Sequence, residues 1–205
     1  MQQLTPSHPP IIAVIGLGYV GLPLALAFSK HYQVIGYDLD VTRVDALKKG
    51  ADTTLETDAE AIINARNLVL TNALSMTASA TIFIVTVPTP VHADKSPDLS
   101  SLLYASSQIA TVLKRGDIVI YESTVYPGCT EEDCVPVLEK NSGLTFNVDF
   151  YCGYSPERIN PGDKVNTLTK IQKITSGSTP AIAKYIDQLY ASIITAGTYL
   201  CCTIH

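Results

Sequence analysis

The chain has 205 residues, 46% of them hydrophobic and 16% charged, which is typical of a well-buried globular protein. The net charge is -5, and no basic stretch is long enough to follow a phosphate backbone, so we expect no nucleic-acid partner. No apolar run reaches the roughly 18 residues that a membrane-spanning helix needs, so we expect no membrane partner. Residues 1–10 are polar and proline-rich without a signal-peptide pattern, which predicts a flexible tail on a cytoplasmic protein.

Short apolar segments that predict strands alternate with longer segments that predict helices. The predicted strands are 11–15, 33–37, 68–70, 81–87, 117–121, 148–153 and 172–176, and a last apolar run covers 198–204. The predicted helices are about 19–31, 41–50, 56–66, 98 or 100 to 113, 130–140 and 179–194. This alternation indicates βαβ units and therefore a Rossmann-like, doubly wound α/β fold, with a mainly parallel sheet and helices on both faces, over residues 11–205.

A glycine-rich turn follows the first predicted strand and opens the first predicted helix. Gly16, Gly18 and Gly21 form the pattern G-x-G-x-x-G, with Tyr19 and Val20 between the last two glycines. The first glycine permits the tight turn, the second lets the backbone approach a pyrophosphate, and the third lets helix and strand pack closely. The helix N-terminus offers free N–H groups to the phosphates. These five residues are the predicted core of a dinucleotide site.

Two charged residues near the end of the second predicted strand narrow the identity of the expected cofactor. Asp38 lies 22 residues after Gly16, where its carboxylate can accept hydrogen bonds from the adenosine ribose and would repel the extra phosphate of NADP. We therefore expect NAD. Arg43 could stack on the adenine or pair with a phosphate. The alternative for Asp38 is a cap for the helix that begins near residue 41.

Two further segments end predicted strands and so reach the carboxyl edge of the sheet, where ligands of doubly wound folds bind. Backbone of the proline-stiffened segment 86–89 can face the cofactor there, or form a rigid loop without ligand contact. Ser123 and Thr124 follow the strand at 117–121, and their alternative role is to cap the next helix. The first segment contributes Val87, Pro88 and Thr89 to the predicted cofactor site.

Four segments together resemble the N-terminal half of a known family. They are GLGYVGLPL at 16–24, VTVPTP at 85–90, ESTVYPG at 122–128 and SPERINPGD at 155–163. In this order and spacing they resemble the NAD-dependent nucleotide-sugar dehydrogenases, the UDP-glucose/GDP-mannose dehydrogenase family. The resemblance covers nearly the whole chain.

The last of these segments narrows the resemblance. UDP-glucose dehydrogenases usually carry Phe-Leu and a second acidic residue after the first glutamate, whereas this chain has Arg158, Ile159 and then Pro161. It is more similar to the branch that oxidises UDP-N-acetylhexosamines, the N-acetylglucosamine or N-acetylgalactosamine dehydrogenases of surface-polysaccharide pathways. UDP-glucose 6-dehydrogenase remains an alternative.

The resemblance implies an activity and residue roles. The family oxidises a primary alcohol of the sugar to a carboxylate with two NAD, through an aldehyde that a cysteine thiolate traps. Glu157 would be the acid/base that activates water, and Thr124 would help to place that water. Ser123 and Thr124 would lie near the nicotinamide, and Arg158 and Asn160, with Glu157, would bind substrate. The alternative for Glu157 is a surface glutamate paired with Arg158.

The resemblance also implies parts that these 205 residues lack. The family's nucleophilic cysteine, the lysine and asparagine that steady the oxyanion, and the central helix that mediates dimerisation come later in its chains. We therefore expect NAD binding without complete turnover, and a homodimer only for a full-length enzyme. A non-catalytic NAD-binding module remains an alternative, whereas a dehydrogenase complete in itself is disfavoured because His8 and His92 have no evident partner.

The cysteines predict neither a disulfide framework nor a metal site. Their count is odd, and no pair has the spacing Cys-x-x-Cys. The last two lie on a terminal apolar run without glycine-rich context, so neither they nor the nearby His205 are expected to be catalytic. The five are Cys129, Cys134, Cys152, Cys201 and Cys202.

Overall fold

The computed structural model of the chain describes residues 9–160, 162–163, 167–201 and 204. Its strands are β1 Ile11–Ile15, β2 Gln33–Tyr37, β3 Leu68–Thr71, β4 Ile82–Val85, β5 Ile118–Tyr121, β6 Tyr151–Tyr154, β7 Lys173–Gly177 and β8 Thr198–Leu200. Its α-helices are α1 Gly21–Ser29, α2 Val41–Lys48, α3 Ala59–Ile63, α4 Ser100–Ala110, α5 Val135–Ser142 and α6 Pro180–Ala191. Most of the tail predicted at 1–10, together with Pro161, Cys202 and His205, lies outside the described residues.

The strands form one sheet in the order β3-β2-β1-β4-β5-β6-β7-β8. Every neighbouring pair is parallel except β6 and β7, which pair antiparallel at Gly153 and Gly177. The strand order reverses direction between β1 and β4, and a crevice forms at such a switch point beyond the carboxyl ends of the strands. The predicted Rossmann-like α/β fold is confirmed.

The core consists of two apolar layers, one on each face of the sheet. Ile12 and Val14 of β1 pack with α1 and α6, whereas Ala13 and Ile15 pack with α4 and α5. Successive side chains of a strand point to opposite faces, so strands covered on both sides need apolar residues at every position. This is why the short strands read as continuous apolar runs rather than as alternating ones.

Several element boundaries differ from the sequence predictions, and two of the differences have a visible cause. The strand predicted at 148–153 begins only at Tyr151, because the carbonyl of Thr145 accepts the N–H of Asp149 at 2.7 Å and Asn147 adopts a positive φ of 59°, which closes a turn. The helix predicted at 130–140 begins as a π-helical turn over Thr130–Cys134 and only then becomes α5. Tertiary context decides both, since neither change is visible in hydropathy.

None of the helices in the described part of the chain has the length and apolar character that a bilayer-crossing segment requires. The same residues contain no cluster of three or more histidine, cysteine or acidic side chains that could hold a metal ion.

Candidate functional site

A cleft of about 470 Å³ opens at the carboxyl edge of the sheet. It lies where β1 and β4 end side by side, as their pairing up to Ile15 and Val85 requires. Most of the predicted site residues line it, and the fold thus brings together segments more than a hundred residues apart. These are Gly16, Gly18, Tyr19, Val20, Asp38, Val87, Pro88, Thr89, Ser123, Thr124 and Glu157.

The three glycines of the turn meet three different surroundings. Gly16 has φ +94°, and the hydroxyl of Thr86 donates to its carbonyl at 2.7 Å. A Cβ on Gly21 would lie 1.9 Å from the Gly16 carbonyl oxygen, so only glycine fits there. A Cβ on Gly18 would meet nothing within 4 Å, because this position borders the open cleft. The geometry suits turning, close packing and close ligand approach, respectively.

The first helix presents its N-terminus to the cleft. It starts at Gly21, and within the described part of the chain no side chain caps it and its first turn holds no acidic residue. Free N–H groups and the partial positive charge of the helix end therefore remain available to an anion.

Asp38 connects the glycine turn to the end of β2. Its Oδ2 accepts from the Leu17 backbone N–H at 2.7 Å and its Oδ1 from the Asp40 N–H at 2.9 Å. The helix cap considered for Asp38 is instead Asp40, whose Oδ1 accepts from the N–H of Thr42 at 2.8 Å. Asp38 thus keeps a half-buried carboxylate on the cleft wall, with acceptor capacity left for ribose hydroxyls.

The guanidinium of Arg43 bonds to other groups of the protein, which does not support the predicted contact with adenine or phosphate. Its Nε and Nη2 donate to the carbonyl of Leu17 at 2.9 and 2.7 Å, and its Nη1 donates to the hydroxyl of Thr53 at 2.9 Å. The same Nη1 lies 2.8 Å from Oδ1 of Asp52. The side chain is 9% exposed and lies outside the cleft lining, so Arg43 braces the glycine turn rather than holding ligand.

A smaller cavity of about 210 Å³ adjoins the cleft beside Asp38. Leu39 and Val87 line it together with Tyr104 of α4. Its walls are mostly apolar and it opens next to the ribose-binding candidate, so it suits a flat ring such as adenine. Tyr104 was not among the predicted residues, because its position on α4 faces the cavity only after the helix has packed on the sheet.

The loops after β4 and β5 are tied to each other. The hydroxyl of Ser123 donates to the carbonyl of Val87 at 2.6 Å, which is not the helix-capping role considered as its alternative. Thr124 is exposed and lines the cleft. The segment after β5 therefore supplies one structural hydroxyl and one hydroxyl that faces the cleft.

A buried group of ionisable side chains lies at one end of the cleft. Glu122 is 1% exposed, and its Oε2 accepts from Nζ of Lys173 at 2.6 Å. The hydroxyl of Tyr190 donates to Oε1 of the same carboxylate. Burial raises the pKa of Glu122, the charge of Lys173 opposes the rise, and the charge of Glu157 adds to it. The cleft therefore ends on buried charges.

Glu157 is held by its own loop and is not a surface residue. Its Oε1 accepts from the backbone N–H groups of Arg158 and Ile159 at 2.5 Å each, and its side chain is 8% exposed. Its buried Oε2 accepts no hydrogen bond from the described residues, although Nζ of Lys173 lies 3.5 Å away. The guanidinium of Arg158 does not pair with Glu157 but donates to the carbonyl of Gln172 at 3.3 Å.

The two other predicted substrate residues do not line the cleft. Arg158 and Asn160 are both exposed, and the carbonyl of Asn160 accepts from the N–H of Asp163 at 3.1 Å. Two residues on, the N–H of Gly162 donates to Oε1 of Glu56 at 2.7 Å, which joins this loop to the loop before α3.

The described cysteines do not line the cleft either. Burial raises the pKa of Cys129 to about 11 and that of Cys134 to about 12, as expected of inert thiols.

Sequence reasoning missed Glu122, Lys173 and Tyr190. One signal was available, because Lys173 lies in a predicted strand, and a lysine there needs a partner when the strand is buried. No sequence pattern shows that the partner is Glu122, since the two are 51 residues apart.

Known proteins were compared with the chain. UDP-N-acetyl-D-glucosamine 6-dehydrogenases from Salmonella typhi and Pseudomonas aeruginosa are 58% and 59% identical over 188 residues, which is 92% of this chain and 44% of each relative. The structure of a UDP-D-ManNAc dehydrogenase from Pyrococcus horikoshii superposes with a TM-score of 0.85 and 33% identity, covering 95% of this chain and 47% of that one. The chain thus spans less than half the length of the relatives it matches.

The family model described as the UDP-glucose/GDP-mannose dehydrogenase family, NAD binding domain, matches residues 11–194. This range begins with β1 and includes the glycine turn, Asp38 and Glu157. It confirms the resemblance inferred from the four motifs. The chain belongs to the UDP-glucose/GDP-mannose dehydrogenase family and forms its NAD-binding domain.

Proposed function

We propose that this chain is the NAD-binding part of an enzyme that oxidises the primary alcohol of a UDP-N-acetylhexosamine to a uronic acid with two NAD. The observation that carries the proposal is the position of Glu157, a buried carboxylate in the same cleft as the glycine turn. A module that only bound NAD would have no use for such a group. The names of the two relatives near 58% identity favour an N-acetylglucosamine substrate over UDP-glucose.

The residues present fit NAD. The open space beside Gly18 admits a pyrophosphate, and the uncapped start of α1 offers it N–H donors. Asp38 would accept the adenosine ribose hydroxyls, and the apolar cavity at Tyr104 would hold the adenine. When bound, the nicotinamide accepts hydride from the substrate carbon. Val87, Pro88 and Thr89 would line its path, with Ser123 holding the two loops together.

Glu157 supplies the acid/base group of this proposal. Its Oε1 is already committed to two backbone N–H groups, which fixes the plane of the carboxylate. Its Oε2 accepts no hydrogen bond within the described chain and so has the capacity to take a proton from a water or hydroxyl in the cleft. The exposed hydroxyl of Thr124, in the same cleft, is suited to position that water. Arg158 and Asn160 would contact substrate only from the rim.

The cofactor part is tested by the substitution Gly18→Ala. The added methyl meets no protein atom within 4 Å, so we expect unchanged stability but at least a tenfold loss of NAD affinity by calorimetry, because the methyl occupies the approach of the pyrophosphate. The control is the free energy of unfolding of the same variant, which should not change because Gly18 has no positive φ and its methyl meets no protein atom. Equal NAD affinity of the Gly18→Ala variant and the unchanged chain would contradict the proposed site.

The choice of NAD over NADP is tested by Asp38→Asn. Removing the charge is expected to narrow the preference for NAD, because the 2′-phosphate is no longer repelled. Asp40→Asn serves as the control, since asparagine caps a helix about as well as aspartate and this residue does not line the cleft. If Asp38→Asn and Asp40→Asn both keep the original ratio of NAD to NADP affinities, the assignment of Asp38 to the adenosine ribose is wrong.

The reaction is tested on the complete protein that contains this chain. Formation of reduced nicotinamide is compared for UDP-N-acetylglucosamine and UDP-glucose, and a preference for UDP-glucose would overturn the substrate proposed. Glu157→Gln is expected to leave NAD binding intact and to suppress the second hydride transfer in single turnover. A normal second transfer would rule out the acid/base role. We also propose that the complete protein is a homodimer. The molar mass of that protein in solution measures this.

A further inference from the structure

The buried ionisable side chains at the end of the cleft come from four separate elements. Glu122 follows β5, Glu157 follows β6, Lys173 begins β7 and Tyr190 lies on α6. The side chains of Lys173, Glu122 and Glu157 are 4%, 0% and 8% exposed. NAD binding through the glycine turn and Asp38 requires none of them. We call the three charged residues the Lys173 cluster.

Lys173 contacts three acceptors with one ammonium group. Its Nζ donates to Oε2 of Glu122 at 2.6 Å and to the carbonyl of Pro156 at 3.3 Å, and Oε2 of Glu157 lies 3.5 Å away. An ammonium has three protons, and the bonds to Glu122 and Pro156 use two of them, so the contact with Glu157 is a charge interaction and not a hydrogen bond. Two of the three acceptors belong to Glu157 or the residue before it. Lys173 therefore determines where the loop that carries Glu157 lies relative to β7.

Among the residues that the structure describes, the cluster contains one more carboxylate than cations. When both glutamates are ionised, two negative charges face one positive charge in a desolvated place, which is unfavourable. Within the described ranges, the other titratable groups that face it are Tyr190, which donates to Glu122, and Tyr154 of β6, which interacts with Glu122 and Lys173. Neither tyrosine adds a cation, and the Arg158 guanidinium is directed to Gln172 instead. Protonation of one carboxylate therefore affects protonation of the other.

The position of the unsatisfied oxygen distinguishes this cluster from an ion pair that only stabilises the fold. A buried acceptor without a hydrogen bond is destabilising. Oε2 of Glu157 is such an acceptor, whereas both oxygens of Glu122, which also lines the cleft, already accept hydrogen bonds from Lys173 and Tyr190. The acceptor that a base needs is thus left open where a ligand can reach the residue.

We propose that Lys173 is a positioning residue for Glu157 and that Glu122 is a buried counter-carboxylate with which Glu157 shares the charge of Lys173. When an O–H bond of a water or hydroxyl in the cleft breaks, its proton goes to Oε2 of Glu157. Lys173 keeps its three protons and then neutralises Glu122 alone. The inference rests on the proposed acid/base role of Glu157. The charge interactions among Glu122, Glu157 and Lys173 are nevertheless present in the chain without any ligand.

The test is the titration of Glu157 in the ligand-free chain, followed by ¹³C NMR of the glutamate side-chain carboxyl carbons. Glu157→Gln identifies the resonance. In Glu122→Gln, a like charge is lost and the shape is kept, so the titration midpoint of Glu157 is expected to fall by about one pH unit. In Lys173→Met, the opposite charge is lost and the midpoint is expected to rise by about one unit or more.

Two further variants make the outcome decisive. The double variant with Glu122→Gln and Lys173→Met removes one charge of each sign, so it is expected to fold even if Lys173→Met does not, and to titrate near the unchanged chain. Asp117→Asn removes a carboxylate that pairs with Lys114 elsewhere in the chain and should leave the midpoint where it is. An unchanged midpoint in Glu122→Gln overturns the proposal, because a merely structural pair would alter stability alone. Failure to bind NAD would refute the proposed function and leave this titration unaffected.

Discussion

Two buried ion pairs brace this domain near its cleft, and they differ in how completely their charges are satisfied. Arg43 and Asp52 lie beside the glycine turn, whereas Lys173 and Glu122 lie behind Glu157. The first pair has one charge of each sign, and the second shares its cation with another carboxylate. An ion pair with no other charge beside it fixes the backbone to which it bonds. When a second carboxylate is buried beside the pair, the proton affinities of the two carboxylates depend on each other.

The hydrogen bonds of Asp52 show the first case. Its two oxygens accept backbone N–H groups from Thr54, Glu56 and Thr57 at 3.0 Å each, in addition to the guanidinium of Arg43. Burial alone would raise the pKa of Asp52, but the hydrogen bonds from Thr54 and the charge of Arg43 outweigh it, and the pKa is lowered. For Glu122 burial prevails, and the pKa is raised.

The largest effect is expected from Lys173→Met, which breaks the second pair. It leaves Glu122 and Glu157 buried without a cation, and removing one partner of a buried pair costs about 3–5 kcal/mol. The free energy of unfolding in urea at neutral pH measures the loss. Adding Glu122→Gln should recover most of it, because the surplus negative charge disappears. If the double variant is as unstable as the single one, packing and not charge explains the cost.

A smaller loss is expected from Arg43→Met, which breaks the first pair. Asp52 keeps its backbone donors, so we expect about 2–3 kcal/mol in the same urea experiment. The carbonyl of Leu17 also loses its two hydrogen bonds, so NAD affinity should fall as the turn loosens. A loss larger than that of Lys173→Met would contradict the idea that Glu122 and Glu157 depend on their cation more than Asp52 does.

The two pairs should respond to pH with opposite signs. The folded-state pKa of Asp52 is lowered, so its contribution to stability is present above about pH 4 and is lost as pH falls below the unfolded value. The folded-state pKa of Glu122 is raised, so its contribution is present below about pH 4 and is lost as pH rises through the folded value. The slopes reach at most about 1.4 kcal/mol per pH unit.

Urea unfolding of Asp52→Asn and Glu122→Gln across pH measures these slopes. Relative to the unchanged chain, the deficit of Asp52→Asn should shrink on acidification. Glu122→Gln should improve relative to the unchanged chain as pH rises. Slopes of the same sign would show that the comparison between the pairs is wrong.

The smallest effect is expected from Thr86→Val, which tests a neutral brace on the same turn. The hydroxyl of Thr86 donates to the carbonyls of Ile15 and Gly16, and valine has nearly the same shape. We expect a loss of about 1 kcal/mol that does not vary with pH, because no titratable group is involved. Thermal unfolding at several pH values measures it, and a pH-dependent loss would point to an unrecognised charge near the turn.

Much of the fold could be predicted because the signals are local. The glycine turn, the strand that ends at Asp38 and the four family motifs are contiguous in the chain, and their interpretation as the NAD-binding domain of this family is confirmed. The antiparallel pairing of β6 with β7 was not predicted, since it depends on where two glycines meet across the sheet. The catalytic role of Glu157 stays a prediction, although the cleft brings it to the cofactor turn.

By itself, the sequence determined the order of strands and helices, the position of the glycine turn and the family. These follow from periodicity and from glycines whose role depends on their immediate neighbours. Only the tertiary structure decided the partners of charged side chains. Arg43 met Leu17 and Asp52 instead of a ligand, and Lys173 met Glu122 across two strands. The reason is physical: burial makes an unpaired charge costly, and which opposite charge lies within reach depends on the packing of the whole chain.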